Sequence, residues 1–196
     1  MQGAYFVSPH QLEDMIGVMR RLVILAALAA ACQTTPAPEK VEGTVSTETH
    51  PDYAQIRPVS IAVLPIEAPV YGLKRPMRRE AYDLLFERHY SPFRLEVVDS
   101  HMTSDGKFDA GSLEWDATLD IELTDWRVVR GTRYFAGNGT ATLRHKTGEV
   151  VWSCKFENYN FEVDNVSGQI DQDEAGRSIA RMVIERMPER PPLPRE

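Results

Sequence analysis

The chain has 196 residues, of which 42% are hydrophobic and 26% are charged, and its formal net charge is −7. This length suits one ordinary domain with flanking segments, and the composition argues against collagen-like, fully disordered and multi-span membrane proteins. An acidic chain without a cluster of basic and aromatic residues is repelled by phosphate backbones, so nucleic acid is not an expected partner.

A secretory signal peptide is predicted over residues 19–31. Arg20 and Arg21 give it a short positive start, and an apolar run follows that ends in small residues. The run is shorter than the roughly 20 residues that a membrane-spanning helix needs. Residues 1–18 contain acidic side chains that do not belong in such a signal, so we interpret them as a mis-annotated extension upstream of a true start at Met19.

Cys32 directly follows the apolar run, after the sequence Leu28-Ala29-Ala30-Ala31. This arrangement resembles the lipobox of bacterial lipoproteins, although that family prefers leucine where Ala29 stands. The resemblance implies cleavage before Cys32 and a diacylglycerol on its thiol. Buried CH₂ groups contribute about 0.8 kcal/mol each, so two or three acyl chains anchor a protein stably. Gln33, rather than aspartate, resembles the outer-membrane class, in which the domain faces the periplasm.

The mature chain is predicted to have three parts. Residues 32–57 comprise the lipidated cysteine and a segment too poor in large apolar groups to fold, which we interpret as a disordered tether. Residues 58–187 form a single globular domain. Residues 188–196 are proline-rich and are predicted to be an extended tail with a frayed end.

The first half of the domain begins with an apolar run over residues 59–65, which predicts a strand covered on both faces. Pro76 suits the first turn of a helix, and Pro92 stops that helix. Apolar and polar residues alternate over residues 93–98, which predicts a second strand. The proposed inner face of the helix consists of Met77, Ala81, Leu84, Leu85 and Arg88.

The second half begins with strict alternation over residues 118–124, which predicts a strand with Leu119, Ile121 and Leu123 pointing inward. Strands over residues 134–145 and 149–156 form a hairpin, with Trp152, Cys154 and Phe156 on one face. The alternation changes phase near Asn158, which indicates a bulge. A closing helix follows over residues 171–187. The predicted fold is an α+β sandwich: one mixed, mainly antiparallel sheet of about five strands, packed by two or more helices.

Three segments in this order resemble a family of bacterial lipoproteins best known from a meningococcal surface antigen. They are residues 53–65, 116–126 and 140–152. The wider group includes the N-terminal domain of the Tol translocation protein, the curli secretion lipoprotein and the lipoprotein activators of peptidoglycan synthases. The resemblance implies a non-enzymatic role in the envelope, with envelope proteins or further copies of the chain as partners. It supplies no catalytic residue.

The remaining chemistry-bearing residues show no motif for a metal, a cofactor or catalysis, so we expect none of these. The histidines are scattered: His10, His50, His89, His101 and His145. A zinc site at the last three is disfavoured against a solvated face, and Asp105, Asp109 and Asp116 lack the spacing of a calcium loop. Cys154 is expected to be a buried thiol, or to pair with Cys32 if that residue is not acylated. A set of aromatic residues marks either a partner-binding edge or the core: Trp126, Tyr134, Phe135, Tyr159 and Phe161.

Three functions remain open at this point. The first is a non-catalytic lipoprotein that scaffolds or assembles envelope proteins, bound to the membrane through Cys32. The second is an auxiliary component of an envelope transporter, which requires an apolar cavity between sheet and helices for a lipid or another ligand. The third is a periplasmic hydrolase, which requires a polar pocket with converging titratable groups.

Overall fold

The computed structural model describes residues 43–129, 134–162 and 171–190. The predicted signal peptide and Cys32 lie outside these residues. The strands are β1 (Thr44–Thr49), β2 (Ser60–Val63), β3 (Ser91–Pro92), β4 (Ala117–Val128), β5 (Tyr134–His145) and β6 (Val150–Glu162). The helices are α1 (Tyr53–Ile56), α2 (Tyr71–Glu87), α3 (Leu95–Ser100) and α4 (Gln172–Ile184).

The strands form one sheet in the order β1-β6-β5-β4-β2-β3. Strand β2 runs parallel to β3 and β4, and the other neighbours are antiparallel. The connection from β2 through α2 to β3 is a parallel crossover, which needs a helix of about this length. The predicted α+β class with a mixed, mainly antiparallel sheet is confirmed, with six strands among the described residues rather than about five.

The three long strands follow the predicted alternation. Leu119, Ile121 and Leu123 of β4 are buried, as are Trp152, Cys154 and Phe156 of β6. The predicted bulge is also present: Asn158 has a positive φ of 50°, and the pairing of β5 with β6 shifts register between Gly137 and Gly139. The hydrophobic pattern therefore fixed the inward face of each strand, because a one-residue slip would turn that face to water.

Helices α2 and α4 pack side by side and run parallel. Gly72 lies against Gln172 near their N-terminal ends, and Arg181 binds Glu80 more than two turns further along. The helices approach closely at Gly176, where an added Cβ would lie 2.9 Å from the carbonyl oxygen of Leu73. Asp171 caps α4, and its carboxylate accepts the N–H groups of Asp173 and Glu174.

The hydrophobic core lies between these two helices and one face of the sheet. Helix α2 contributes a buried row spaced at one helical turn: Leu73, Met77, Ala81 and Leu85. Helix α4 contributes Ile179, Val183 and their neighbours to the same cluster. The opposite face of the sheet is exposed and polar, with Asp120, Glu122 and Lys155 pointing to solvent, as one solvated face of an antiparallel sheet usually is.

The predicted second strand over residues 93–98 is wrong. Only Ser91 and Pro92 pair with β2, and the chain then enters helix α3. A strand would have turned Phe93, Leu95 and Val97 toward the core, whereas Val98 is the fully buried residue and Leu95 is partly buried beside it. A buried pair three residues apart matches a helical turn. Over so short a segment, the apparent alternation did not distinguish the two periods.

Helix α2 begins at Tyr71 rather than at Pro76, so the predicted start is also wrong. The extra turn contains Leu73, which is fully buried and stacks one turn before Met77. Pro76 therefore lies inside the helix, where its ring removes the N–H that would bond to Gly72. Its ring also packs against the tight crossing, since a Cβ on Gly176 would lie 3.0 Å from the Cγ of Pro76.

The predicted tether over residues 32–57 extends too far. Residues Thr44–Thr49 form the edge strand β1, which pairs antiparallel with β6, and their side chains are almost all polar and exposed. Backbone hydrogen bonds supply what the side chains lack. Gly43 permits the close approach, because a Cβ there would lie 2.4 Å from the carbonyl oxygen of Asn158. Tyr53 of α1 is buried as well.

The predicted extended tail over residues 188–196 is wrong for its first three residues. Pro188, Glu189 and Arg190 are described, and Arg190 is buried, with only 9% of its surface exposed. Its guanidinium donates to the carbonyl oxygen of His89 over 3.2 Å, and the carbonyl oxygen of Pro188 accepts from the hydroxyl of Tyr90 over 2.5 Å. Proline-rich sequence forms no regular element here, yet it packs through its carbonyls and one arginine.

Candidate binding surface on helix α2

The outer face of α2 carries aromatic and arginine side chains in one line, which we call the aromatic–arginine stripe: Tyr71, Arg75, Arg79, Tyr82 and Phe86. Successive members are three or four residues apart, so they are neighbours on the helix surface. From Tyr71 to Phe86 the stripe extends about 22 Å along the axis at 1.5 Å per residue. These side chains point away from the buried row of the same helix.

The aromatic side chains at the two ends of the stripe are unusually exposed to solvent for large apolar groups. Tyr71 is 88% exposed and Phe86 is 50% exposed. Tyr82 links the two ends, since its ring meets that of Phe86 edge to face at 5.2 Å and the guanidinium of Arg79 lies 5.4 Å from its centroid. Tyrosine, phenylalanine and arginine are the residue types enriched at protein interfaces.

A first surface cavity of about 340 Å³ adjoins Tyr71 on the side of α3. Pro65, Ile66 and Leu95 supply its apolar walls. Arg78 fixes its shape: the guanidinium donates to the carbonyl oxygen of Val63 at 3.1 and 2.9 Å and to the carboxylate of Asp99 at 2.6 Å. The cavity thus has firm apolar walls and a charged rim.

A second surface cavity of about 370 Å³ adjoins Tyr71 on the side of α4. Three guanidinium groups line it, from Arg75, Arg79 and Arg177, against the single carboxylate of Asp173. Arg79 also pairs with a carboxylate of its own helix at 3.1 Å. Among the described residues, no carboxylate lies within salt-bridge distance of Arg75.

The histidines and aspartates of the sequence-based site predictions do not come together as a metal site. Within the described parts of the chain, no group of three histidine, cysteine, aspartate or glutamate side chains is arranged to hold a metal ion. His101 bonds within its own helix end, and His145 contacts Thr147 in the hairpin turn. Asp105 pairs with Lys107 at 2.8 Å. His10 lies outside the described residues.

Asp116 has a structural role. Its carboxylate accepts the N–H groups of Val59 and Ser60 at 2.9 and 3.0 Å and lies 3.6 Å from the ammonium of Lys146. Partial burial opposes ionisation, but the two backbone donors and the lysine outweigh it and hold the pKa of Asp116 below its usual range. The carboxylate therefore joins the start of β2 to the start of β4.

Cys154 is a free, buried thiol in the middle of β6. Burial raises its pKa, and the charge of Arg186 opposes this effect only in part. A protonated thiol is neither a nucleophile nor a metal ligand. The prediction of a buried cysteine is confirmed, and the lipidation of Cys32 and its alternative pairing with Cys154 stay predictions because Cys32 is not described.

The aromatic residues proposed for a partner-binding edge serve mainly as core. Phe135 and Phe161 are buried and stack at 4.7 Å. Trp126 and Tyr159 are partly buried and pack against them at 4.0 and 4.8 Å. This cluster lies at the bulged end of β5 and β6, where the strands bend. The core interpretation of these residues is therefore confirmed.

The exposed aromatic residues lie instead on α2, where the sequence pattern did not predict them. With the helix predicted to begin at Pro76, neither Tyr71 nor Arg75 belonged to its pattern. The signal that could have revealed them is the spacing of Tyr71, Arg75, Arg79 and Tyr82, which repeats with the helical period on the face opposite Met77. The pattern predicts an exposed Tyr71 only if the helix is extended to include Leu73 on its buried face.

No protein-family model matches the chain, and no curated protein matches it. Solved structures with a similar arrangement include a PelC dodecamer from Paraburkholderia phytofirmans, with 19% identity over 73% of this chain and 92% of that one, and a TM-score of 0.47. Lipoprotein GNA1162 from Neisseria meningitidis has 20% identity over 57% of this chain and 88% of that one, with a TM-score of 0.43. A DUF4136 family protein from Bacteroides thetaiotaomicron has 8% identity over 73% and 92%, with a TM-score of 0.42.

A lipoprotein from Neisseria meningitidis is thus among the similar structures at low identity, while the resemblance to the Tol, curli and synthase-activator proteins stays a prediction. Likenesses of this strength carry no inference about activity or partners. None of the described helices is long and apolar enough to cross a membrane.

Proposed function

We propose that the chain is a lipoprotein, anchored through acylated Cys32 to the outer membrane and facing the periplasm, that works by binding other envelope proteins rather than by catalysis. The binding surface is the aromatic–arginine stripe of α2. The observation that carries the proposal is the exposure of Tyr71 at 88% in line with Arg75 and Phe86.

Such a surface is energetically unfavourable as long as no partner covers it. A large exposed aromatic side chain keeps its apolar area in water, and burying that area against a partner contributes about 25 cal/mol per Å². Tyrosine and phenylalanine lose little side-chain entropy on binding because each has only two rotatable bonds. Since α2 is held by its buried row, the stripe is presented on a rigid element, which reduces the cost of ordering it.

Site-specific photocrosslinking in native envelopes tests the proposal. A photoreactive phenylalanine analogue is placed at Tyr71 or at Phe86, with Lys155 on the exposed sheet face as the control position. We expect discrete crosslinked species from the two stripe positions and none from the control, with the same partner identified from both by mass spectrometry. Equal crosslinking from all three positions, or none from the stripe, would refute the stripe as the binding surface.

A further inference from the structure

The chemistry of a partner can be inferred from the charges around Tyr71. In the second cavity, the three guanidinium groups meet one carboxylate. Arg75 has no acidic partner among the described residues, and the nearest carboxylate oxygen that pairs with Arg177 is 3.9 Å away. Arg79 is paired with Asp83 at 3.1 Å, so Arg75 is the guanidinium of this cavity that no carboxylate of the described chain matches, although the chain as a whole has a net charge of −7.

The helix itself adds to this positive potential. Helix α2 has no acidic residue in its first turn and no side chain capping its N-terminus. The positive end of the helix dipole thus lies beside Arg75 with no acidic side chain in that turn to balance it, an arrangement that favours carboxylates brought from outside. Planar guanidinium groups bind carboxylates in bidentate fashion, which gives geometric specificity as well as attraction.

The first cavity supplies a different kind of contact. Its walls from Pro65, Ile66 and Leu95 are apolar, and Ile66 is itself 3% exposed and so firmly packed from behind. A volume of about 340 Å³ takes one large side chain. Apolar pockets of this kind, flanked by arginine and tyrosine, are where binding energy concentrates at protein interfaces.

We propose that the stripe binds an acidic peptide segment of a partner protein, one whose apolar side chain enters the first cavity while carboxylates beside it pair with Arg75 and Arg79. The edge-to-face aromatic pair Tyr82 and Phe86 extends the contact along the helix. This inference rests on the proposed function, because it names the chemistry of the partner that the same stripe would take.

Peptide selection on the intact mature chain tests this inference. The lipidated chain, extracted in detergent and held by a C-terminal tag, is presented with a phage library of random peptides. We expect the enriched sequences to place aspartate or glutamate on either side of an aromatic or branched apolar residue. A fluorescein-labelled peptide of the enriched sequence then reports its affinity by anisotropy.

Variants of exposed residues make the test specific. Arg75→Glu is expected to weaken the selected peptide at least tenfold, and a peptide with lysine in place of its acidic residues is expected to regain affinity for that variant. Tyr71→Ala is expected to weaken the original peptide, whereas Lys155→Glu on the exposed sheet face leaves it unchanged. Because the side chain of Arg75 has no hydrogen bond or ion pair in the described fold that would be lost, circular dichroism is expected to show the same unfolding midpoint.

Three results would overturn the inference: no enrichment, enrichment without acidic residues, or equal affinity for the Arg75→Glu variant. Its failure is distinguishable from failure of the proposed function. If the partner is not acidic, crosslinking from Tyr71 in envelopes persists while the peptide selection fails. If the stripe binds nothing in the envelope, the crosslink itself is absent.

Discussion

Asp116 shows how one carboxylate can hold two distant segments together. Its carboxylate accepts from the N–H groups of Val59 and Ser60, at the start of the parallel strand β2. Asp116 itself directly precedes β4. A further hydrogen bond runs from the N–H of Lys146 to the carbonyl oxygen of Asp116. These bonds connect the start of β2, the start of β4 and the residue that follows β5.

Asp116→Ala is expected to lower the free energy of unfolding by about 1–3 kcal/mol, because it leaves two partly buried N–H groups without their acceptor. Chemical denaturation at pH 7 measures the change. The matched control is Asp109→Ala, since the carboxylate of Asp109 accepts only the nearby N–H of Gly111 in an exposed loop. A loss of less than 0.5 kcal/mol at Asp116, about the scatter of ordinary surface substitutions, would contradict the assigned role.

The pH dependence of this difference has a fixed sign. The folded pKa of Asp116 lies below its unfolded value, so its contribution to stability is fully present above the unfolded pKa of about 3.9. The contribution is lost as the pH falls through the folded pKa, where the carboxylate becomes protonated in both states. Wild type and Asp116→Ala are thus expected to differ most above about pH 5 and to converge in strong acid.

At the scale of elements, the C-terminal ends of α2 and α4 hold each other through two arginines. Arg88, which follows α2, donates to the carbonyl oxygen of Met187 beyond α4. Arg190 donates in return to the carbonyl oxygen of His89 beyond α2. A cation at a helix C-terminus is favoured by the dipole. Because the helices are parallel, both negative ends meet at the same place, which explains two partly buried guanidinium groups without a carboxylate.

A pair of tyrosines completes this contact. The hydroxyl of Tyr90 donates to the carbonyl oxygen of Pro188. The hydroxyl oxygen of Tyr53 lies 2.5 Å from the hydroxyl oxygen of Tyr90. Burial raises the pKa of Tyr53 above its ordinary value, and the hydrogen bond to Tyr90 raises it further. Both phenols therefore stay protonated. These hydrogen bonds join Tyr53, from the predicted tether, to Pro188, from the predicted tail, through Tyr90.

Arg190→Ala is expected to cost about 1–3 kcal/mol of stability, since it removes a buried donor to a carbonyl oxygen and a cation that faces two helix ends. Arg94→Ala is the matched control, because Arg94 is an exposed arginine for which no side-chain contact in the described structure is lost. Thermal and urea unfolding of both variants measure the difference. Equal stability of the two would show that residues 188–190 pack without holding the helices.

The sequence predicted those elements whose own side chains specify them. Leu119, Ile121 and Leu123 are buried in strict alternation, and Asp171 caps its helix through its own carboxylate, so the local pattern sufficed. Strand β1 could not be predicted in this way, because its polar side chains carry no period and its pairing depends on the distant strand β6. Tertiary contacts decided these elements, as they commonly override local propensity.

Some residues of the site could be predicted from the sequence, and others could not. Cys154 could be assigned to the core because it shares the phase of Trp152 and Phe156. Tyr71 could not be assigned to a surface, since its exposure follows from a helix start that depends on Leu73 packing against Gly176. A binding surface is harder to predict than a core because no periodic burial marks it, and its function lies in contacts that the chain alone does not make.

At the scale of the whole molecule, the predicted anchor and the stripe belong to separate parts of the chain. The fold from β1 to Arg190 is closed by contacts among its own described residues, and Cys32 is not one of them. We expect acylation of Cys32 to determine where the domain is held. Each acyl chain contributes through buried CH₂ groups at about 0.8 kcal/mol apiece, which is ample for lasting attachment when two or three chains are present.

Metabolic labelling with an alkynyl palmitate tests the anchor on the chain expressed from Met19. We expect the label in the wild type and in Cys154→Ser, and none in Cys32→Ser, which should also fail to sediment with membranes after a carbonate wash. The two cysteines are the only thiols in the sequence, so each variant is the control of the other. Label retained in Cys32→Ser, or lost in Cys154→Ser, would move the anchor away from Cys32 and remove the membrane attachment on which the proposed function depends.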